Sequence, residues 1–291
     1  MRRVVQISDL HFGNNDPALL EPLRRAIVDI DPHLLVISGD FVEHATAEEF
    51  RAAHEFVEQL PQPQIAVPGN HDLAFYNVAT RALTGLRNYK HYISDDSRPR
   101  FEDEEIAVMG ANTSRVWQLR GGSLSSLQLQ ELFIEFAAVS PEKTRILVTH
   151  HPFDLPEGQQ RRLIVGHARR SIARLAPTVD IMLAGHIHLS STGSTATRYK
   201  TAGHAITFVQ AGTAVSNRNK GEMNSFNSLK TFNGLEGGKA VVVERYTWKK
   251  EVDEFRCACS TEFRLESEGW ARVEPAAPVH EEPGVEHTEV A

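Results

Sequence analysis

Residues 3–13 read Arg-Val-Val-Gln-Ile-Ser-Asp-Leu-His-Phe-Gly, a short aliphatic and β-branched run that stops abruptly at Asp9 and His11. The same grammar recurs four times. Leu34 to Ser38 runs into Gly39-Asp40, Gln64 to Val67 into Gly69-Asn70-His71-Asp72, Arg145 to Thr149 into His150-His151, and Asp180 to Ala184 into Gly185-His186-Ile187-His188. Runs of this length and composition, bounded by glycine or polar residues, read as buried strands. Between them lie helical patterns. Thr46 to Leu60 opens with Thr46 and Glu49 at capping-box spacing and carries Phe50, Ala53, Val57 and Leu60 along one face. A second helix is predicted from about Ser125 to Val139, with Leu129, Leu132, Phe133 and Phe136 as its apolar stripe, and a third from about His167 to Leu175. Strand, helix, strand in repetition is the signature of a layered α/β domain.

After residue 190 the pattern changes. Ala205 to Gln210, Ser228 to Phe232, Ala240 to Trp248 and Glu254 to Arg264 all read as strands with no convincing helix between them, an added β-sheet rather than an independent domain. Residues 1–273 are therefore expected to form one domain. Residues 274–291 hold five Glu, three Pro and neither Lys nor Arg, the composition of a disordered acidic tail.

The whole chain has 291 residues, 41% hydrophobic, with 31 Lys+Arg against 38 Asp+Glu and a formal net charge of -7. That hydrophobic fraction supports a substantial core, and the acidic balance argues against a nucleic-acid or anionic-membrane partner. Asp9 interrupts the N-terminal segment before an apolar signal region can form, and no apolar run is long enough for a membrane span. A cytoplasmic setting is expected. The two cysteines, Cys257 and Cys259, are one residue apart, too close for a comfortable bridge, and read as strand-packing residues.

The chemistry sits where the strands end. In open α/β sheets the carboxyl ends of the strands face the ligand crevice, so Asp9, His11, Asp40, Asn70, His71, His150, His186 and His188 are expected to converge although nearly 180 residues separate the first from the last. Oxygen and imidazole donors without thiolate suit Mn, Fe, Co, Ni or Zn, and this many donors exceed the needs of one ion. Taken singly each motif has a bland reading: Asp-x-His is also a turn with an Asx bond, and Gly39-Asp40 a plain turn signal. Five together do not.

DLH at 9–11, GD at 39–40, GNHD at 69–72, the strand-terminal His150 and GHIH at 185–188, in this order, resemble the five-part signature of the calcineurin-like metallophosphoesterases, over roughly residues 4 to 188. Gly110 to Gln130 and Ala211 to Asn227 are similar to the bacterial cyclic-nucleotide phosphodiesterase-like branch. The resemblance implies a four-layer α/β/β/α sandwich of two packed mixed β-sheets flanked by helices. It implies a dinuclear centre, with Asp9, His11 and His188 on one divalent ion, Asn70, His150 and His186 on the other, and Asp40 bridging. Such a pair polarises a phosphoryl oxygen and lowers the pKa of a bound water, supplying hydroxide for attack on phosphorus. His71 would then stabilise charge or protonate the leaving oxygen, with Asp72 orienting it.

His150 is taken as the ligand over His151, because neighbours in extended chain point oppositely and Pro152 matches the family's His-x-Pro pattern. His151 is expected at the substrate edge or just behind the ligands, and His44, shortly after Gly39-Asp40, is placed to overlook the cleft. Arg218 and Lys220 stay open to two readings, a clamp on a substrate phosphate or solvated loop charges. Arg161, Arg162, Arg169, Arg170 and Arg174 read as a solvated face.

The expected activity is hydrolysis of a small phosphodiester, of cyclic-nucleotide or glycerophosphodiester type. Two alternatives are a non-catalytic scaffold on the same fold and a nucleotide-sugar or lipid-precursor pyrophosphatase. A scaffold has no use for His71 beside a full ligand set, and no basic amphipathic helix favours the lipid reading. A Ser/Thr protein phosphatase would need Arg-containing motifs where Phe41 follows Asp40 and Asp72-Leu73 follow His71.

Overall fold

The computed structural model describes residues 1–74, 84–96, 98–118, 121–155, 163–199, 204–235 and 238–274. The tail beyond Glu274, and Arg161 and Arg162 of the basic face, lie outside the described residues.

Strands β1 (Arg2–Ile7), β2 (Leu34–Ile37) and β3 (Gln64–Ala66) pair in parallel. On its other side β1 pairs antiparallel with β10 (Ser225–Leu235), and β11 (Gly238–Lys249), β12 (Glu254–Glu266) and β13 (Gly269–Arg272) complete a seven-stranded sheet. A six-stranded second sheet runs β4 (Arg100–Glu102), β5 (Ile106–Gly110), β6 (Thr144–Val148), β7 (Ile181–Ala184), β9 (Thr207–Gln210), β8 (Ser191–Ser194), parallel from β5 to β9 with antiparallel edges.

Alternation along the strands builds the layers. In β2, Leu34 and Val36 face the second sheet, where Val108, Ile146, Val148, Ile181 and Leu183 meet them. Leu35 and Ile37 face outward onto Leu23 and Ile27 of α1 (Leu20–Ile30) and Phe50, Ala53 and Val57 of α2 (Ala47–Val57). On the far side, Leu147 and Met182 carry Leu132 and Phe136 of α4 (Ser126–Ala138) and Ile172 and Leu175 of α5 (Ala168–Leu175). The result is the α/β/β/α sandwich. Each fully buried aliphatic contributes about 1.5–3 kcal/mol, and residues alternating between two cores fix the register, because a one-residue slip would exchange both sets.

Both capping boxes form, Thr46 with Glu49 and Ser125 with Gln128. The strands after residue 190 correct the expectation of an added sheet: β8 and β9 extend the second sheet, and β10 to β13 extend the first. Elements the sequence pattern missed are α1, α3 (Arg87–Tyr92), the single turn α6 (Ala196–Tyr199) and strands β4, β5, β8 and β13. Cys257 and Cys259 are exposed on β12, not packed, because that strand lies toward the sheet's edge with one face open to solvent.

Candidate metal centre

Each expected ligand follows a parallel strand: Asp9, Asp40 and Asn70 come off the first sheet, His150, His186 and His188 off the second. The turns that carry them are unusual. Asp9, His11, Asp40, His186 and His188 all have positive φ, between 49° and 77°. A non-glycine residue in this region costs of order 1–3 kcal/mol, a cost sustained where the surroundings over-determine the turn. Here they do: the Asp9 and His11 N–H groups donate to the Gly39 and Asp40 carbonyls at 3.0 and 3.1 Å, so the two loops run side by side. Two glycines permit the close approach. A Cβ on Gly69 would sit 2.1 Å from Asp40 Oδ1, and one on Gly185 would sit 1.9 Å from Ser8 Oγ and 2.6 Å from Asp9 Oδ2.

Asp9, His11, Asp40 and His188 form one buried group whose donor atoms lie within 4.8 Å of one another, and His150, His151 and His186 form a second. Asp40 stands between them, with Oδ2 3.7 Å from His11 Nε2 and 3.2 Å from His150 Nε2. Asn70 joins the second group through Oδ1, 3.2 Å from His150 Nε2. The donor set fits divalent ions on its electrostatics. Burial alone would raise the carboxyls of Asp9 and Asp40, yet the surrounding imidazoles hold both well below the usual range. Burial would likewise depress His11 and His150, yet Asp9, Glu43 and Asp40 lift His11, and Asp40 lifts His150, each to about 9. Two buried carboxylates are thus drawing positive charge onto imidazoles.

The other nitrogens of these imidazoles are fixed. His150 Nδ1 lies 2.8 Å from the Ser38 carbonyl, His188 Nδ1 2.7 Å from the Arg218 carbonyl, and His11 Nδ1 2.9 Å from Glu43 Oε2. Glu43 went unread in the sequence. The cue was its place three residues after Asp40: Glu43 N–H donates to the Phe12 carbonyl as the two loops run in parallel, which sets it beside His11. Carboxylates that orient metal-binding histidines commonly matter 10–100-fold in affinity. Glu43→Gln should therefore weaken metal binding by about that factor without unfolding the protein; equal affinities in a chelator competition would refute the role.

Three expectations need correction. His151 is not at the substrate edge: it is fully buried, its Nδ1 is 2.9 Å from Thr113 Oγ1, and its ring centroid lies 4.4 Å from that of His186. The chain has left β6 at Val148, so extended alternation no longer separates His150 from His151. Burial and the neighbouring His186 and His150 keep His151 well below the usual histidine range, and its Nε2 has no hydrogen-bond partner among the described residues. Asp72 does not hold the His71 imidazole. Its carboxylate accepts from the N–H groups of Gly69, Asp40, Phe41 and Val42, stapling the GD and GNH loops together, and burial beside Asp40 pushes its pKa up to about 7. The His71 ring instead reaches the Glu43 main-chain carbonyl through Nδ1 at 2.8 Å. His44 is exposed and pairs with Glu49, whose cap on α2 draws it to the helix end. Arg218 does enter the site, 3.0 Å from His71 Nε2.

The raised histidines set a pH dependence. In the metal-free protein His11 and His150 keep their protons to about 9, and a metal must displace them. Metal affinity should rise by about tenfold per pH unit for each proton displaced, up to about 9. Because the folded values lie above the unfolded one, their stabilisation of the metal-free fold is complete below about 6.5 and fades as pH rises through 9. Metal titrations and metal-free melts at pH 6.5, 7.5 and 8.5 check both signs; flat profiles would refute them.

The family profile of calcineurin-like phosphoesterases matches residues 2–190. The 3',5'-cyclic adenosine monophosphate phosphodiesterase CpdA of Escherichia coli K12 is 28% identical over 203 residues, covering 64% of this chain and 69% of that protein. A probable glycerophosphodiester phosphodiesterase, GpdQ of Arcobacter nitrofigilis, is 27% identical over 212 residues, covering 65% and 72%. Among solved structures, the purple acid phosphatase PPD1 from yellow lupin superposes with a TM-score of 0.65 over 90% of this chain and 53% of that one. At 14% identity that likeness speaks for the fold alone. With the profile spanning well over half the sequence and every strand-end motif in place, the chain belongs to the calcineurin-like phosphoesterase family.

Proposed function

We propose that the protein is a dinuclear metal-dependent phosphodiesterase acting on a small diester, of the cyclic-nucleotide or glycerophosphodiester type on which its relatives are named to act. One observation carries the reading: Asp40, a member of the Asp9, His11, His188 group, also reaches His150 of the second group through Oδ2, where a bridging carboxylate belongs. Asp9, His11, Asp40 and His188 would hold one ion, and Asp40, Asn70, His150 and His186 the other. Two divalent ions there would polarise the phosphoryl group and lower the pKa of a bound water.

The chain's own groups complete the chemistry. Asp40 balances charge between the sites, and its Oδ1 accepts the His71 N–H at 2.8 Å, coupling the bridge to the GNH loop. His71 is the imidazole outside the ligand set that keeps access to solvent, at 14% side-chain exposure, and meets developing charge or the leaving oxygen. We read residues 1–273 as one unit, since β10 to β13 share a sheet with β1. No helix among the described residues is long and apolar enough to cross a membrane. The exposed free thiols Cys257 and Cys259 suit a reducing, cytoplasmic setting.

The test is a panel of phosphomonoesters, linear diesters, cyclic nucleotides and nucleoside diphosphate esters, assayed after reconstitution with Mn, Fe, Co, Ni or Zn alongside elemental analysis. Turnover of diesters with two ions per chain supports the reading. Two bound ions with no turnover of any ester would favour a scaffold instead.

A further inference from the structure

Arg218 is tied to the site at both ends. Its carbonyl accepts from His188 Nδ1 at 2.7 Å, and its N–H donates to Ser216 Oγ at 3.1 Å, so its backbone moves with the ligand loops. Its guanidinium reaches inward through one nitrogen: Nη1 lies 3.1 and 3.2 Å from the Glu43 carboxylate oxygens and 3.0 Å from His71 Nε2. Nη2 and Nε make none of these contacts, and the side chain keeps 37% exposure. The loop's other cation is committed elsewhere, since Lys220 Nζ donates to the Ile187 carbonyl at 2.9 Å.

The partners assign the protons. His71 Nδ1 lies 2.8 Å from a main-chain carbonyl, which only accepts, so it carries a hydrogen. His71 Nε2 then holds the lone pair and accepts from Arg218 Nη1. In the free protein the nitrogen of His71 that would face substrate is covered by a guanidinium.

We propose that Arg218 is the residue that recognises the anionic phosphodiester, and that its Nη1 is a latch on His71. This rests on the phosphodiesterase reading. A planar guanidinium edge matches two non-bridging phosphate oxygens. Glu43 holds Arg218 at the cleft while Nη2 and Nε meet the phosphate, and the guanidinium's turn toward that charge withdraws Nη1 from His71 Nε2. Substrate arrival thereby uncovers the imidazole it needs, whereas a ligand without an anionic phosphate leaves the latch closed.

The experiment uses Arg218→Gln and Arg218→Lys, each loaded with zinc to wild-type content. Arg218→Gln should raise KM for bis(p-nitrophenyl) phosphate by about 10–100-fold, with a smaller change in kcat, and weaken binding of inorganic phosphate by a similar factor in calorimetry. Arg218→Lys should recover part of that affinity as a point charge. The His71 Nε2 nitrogen resonance should shift on Arg218→Gln and shift the same way when phosphate is added to the wild type. Unchanged phosphate affinity, a Lys variant no better than Gln, an unmoved resonance, or a Gln variant that cannot retain zinc would each overturn the proposal. Calorimetry and resonance need no turnover, so a wild type that binds phosphate through Arg218 but hydrolyses no diester defeats the phosphodiesterase reading alone.

Discussion

Asp40→Ala abolishes phosphodiester hydrolysis and leaves at most one metal ion per chain, the largest effect expected of any single substitution. Two divalent ions about 4 Å apart repel by on the order of 16 kcal/mol at an effective dielectric constant of 20, four times the figure for unit charges. In the proposed dinuclear site Asp40, with Oδ2 near both His11 and His150, would offset that repulsion from both sides at once. Its removal also takes away the acceptor of the His71 N–H, so the leaving-group side of the site loosens with the metal side.

Asp40→Asn separates charge from shape. The amide oxygen can still accept the His71 N–H, and Asp72, pushed up to about 7 by burial and by Asp40, loses its charged neighbour. Against that relief, His11 and His150 lose the carboxylate that helps hold their protons, so the metal-free Asn variant should melt lower than the metal-free wild type near pH 7. Only the wild type should gain the further stabilisation that grows with the logarithm of metal concentration over its Kd. Elemental analysis and melts with and without manganese or zinc decide it. Two ions retained with normal turnover in either variant would refute the bridge.

The convergence of the strand-end Asp, Asn and His residues was legible because strands announce themselves as aliphatic runs such as Leu34 to Ile37 with Gly39-Asp40 behind them. What supports the ligands was not legible, since it depends on which loops lie side by side. Glu43 meets His11 only because the Phe12 and Val42 segments pair across loops thirty residues apart. Thr113 reaches His151 across two parallel strands. Asp72 was misread for the opposite reason: being next to His71 in sequence says little about touching its ring, and the carboxylate turns back to four main-chain N–H groups. Helix α1 was missed because Pro22 interrupts the look of a helix, although a proline in the first turn is tolerated and Leu23 and Ile27 pack fully buried. The second sheet's edge strands β4 and β8 are short and polar, and nothing in their composition separates them from loops.

His71→Ala should keep both ions, bind substrate about as well, and lose about 10²–10⁴-fold in turnover, the range for a positioned acid or charge-stabilising group. The ring is held by the Glu43 carbonyl and covered by Arg218. Burial pushes its pKa below the usual range, so in the free protein it is neutral near pH 7. It can protonate a leaving oxygen only after gaining a hydrogen on Nε2, the atom Arg218 covers. The size of the loss should therefore depend on the leaving group. A p-nitrophenyl diester departs as a weakly basic phenolate and needs little protonation, whereas an alkyl or ribose ester departs as a strongly basic alkoxide. Proton donation predicts a loss for the alkyl ester larger by at least about tenfold. Equal losses for both would assign His71 to charge stabilisation on the phosphoryl oxygens, and loss of a metal would make it a ligand. Both substrates measured on one metal-saturated variant, with its metal content determined in parallel, separate the three roles, because only proton donation couples the size of the defect to the basicity of the departing oxygen.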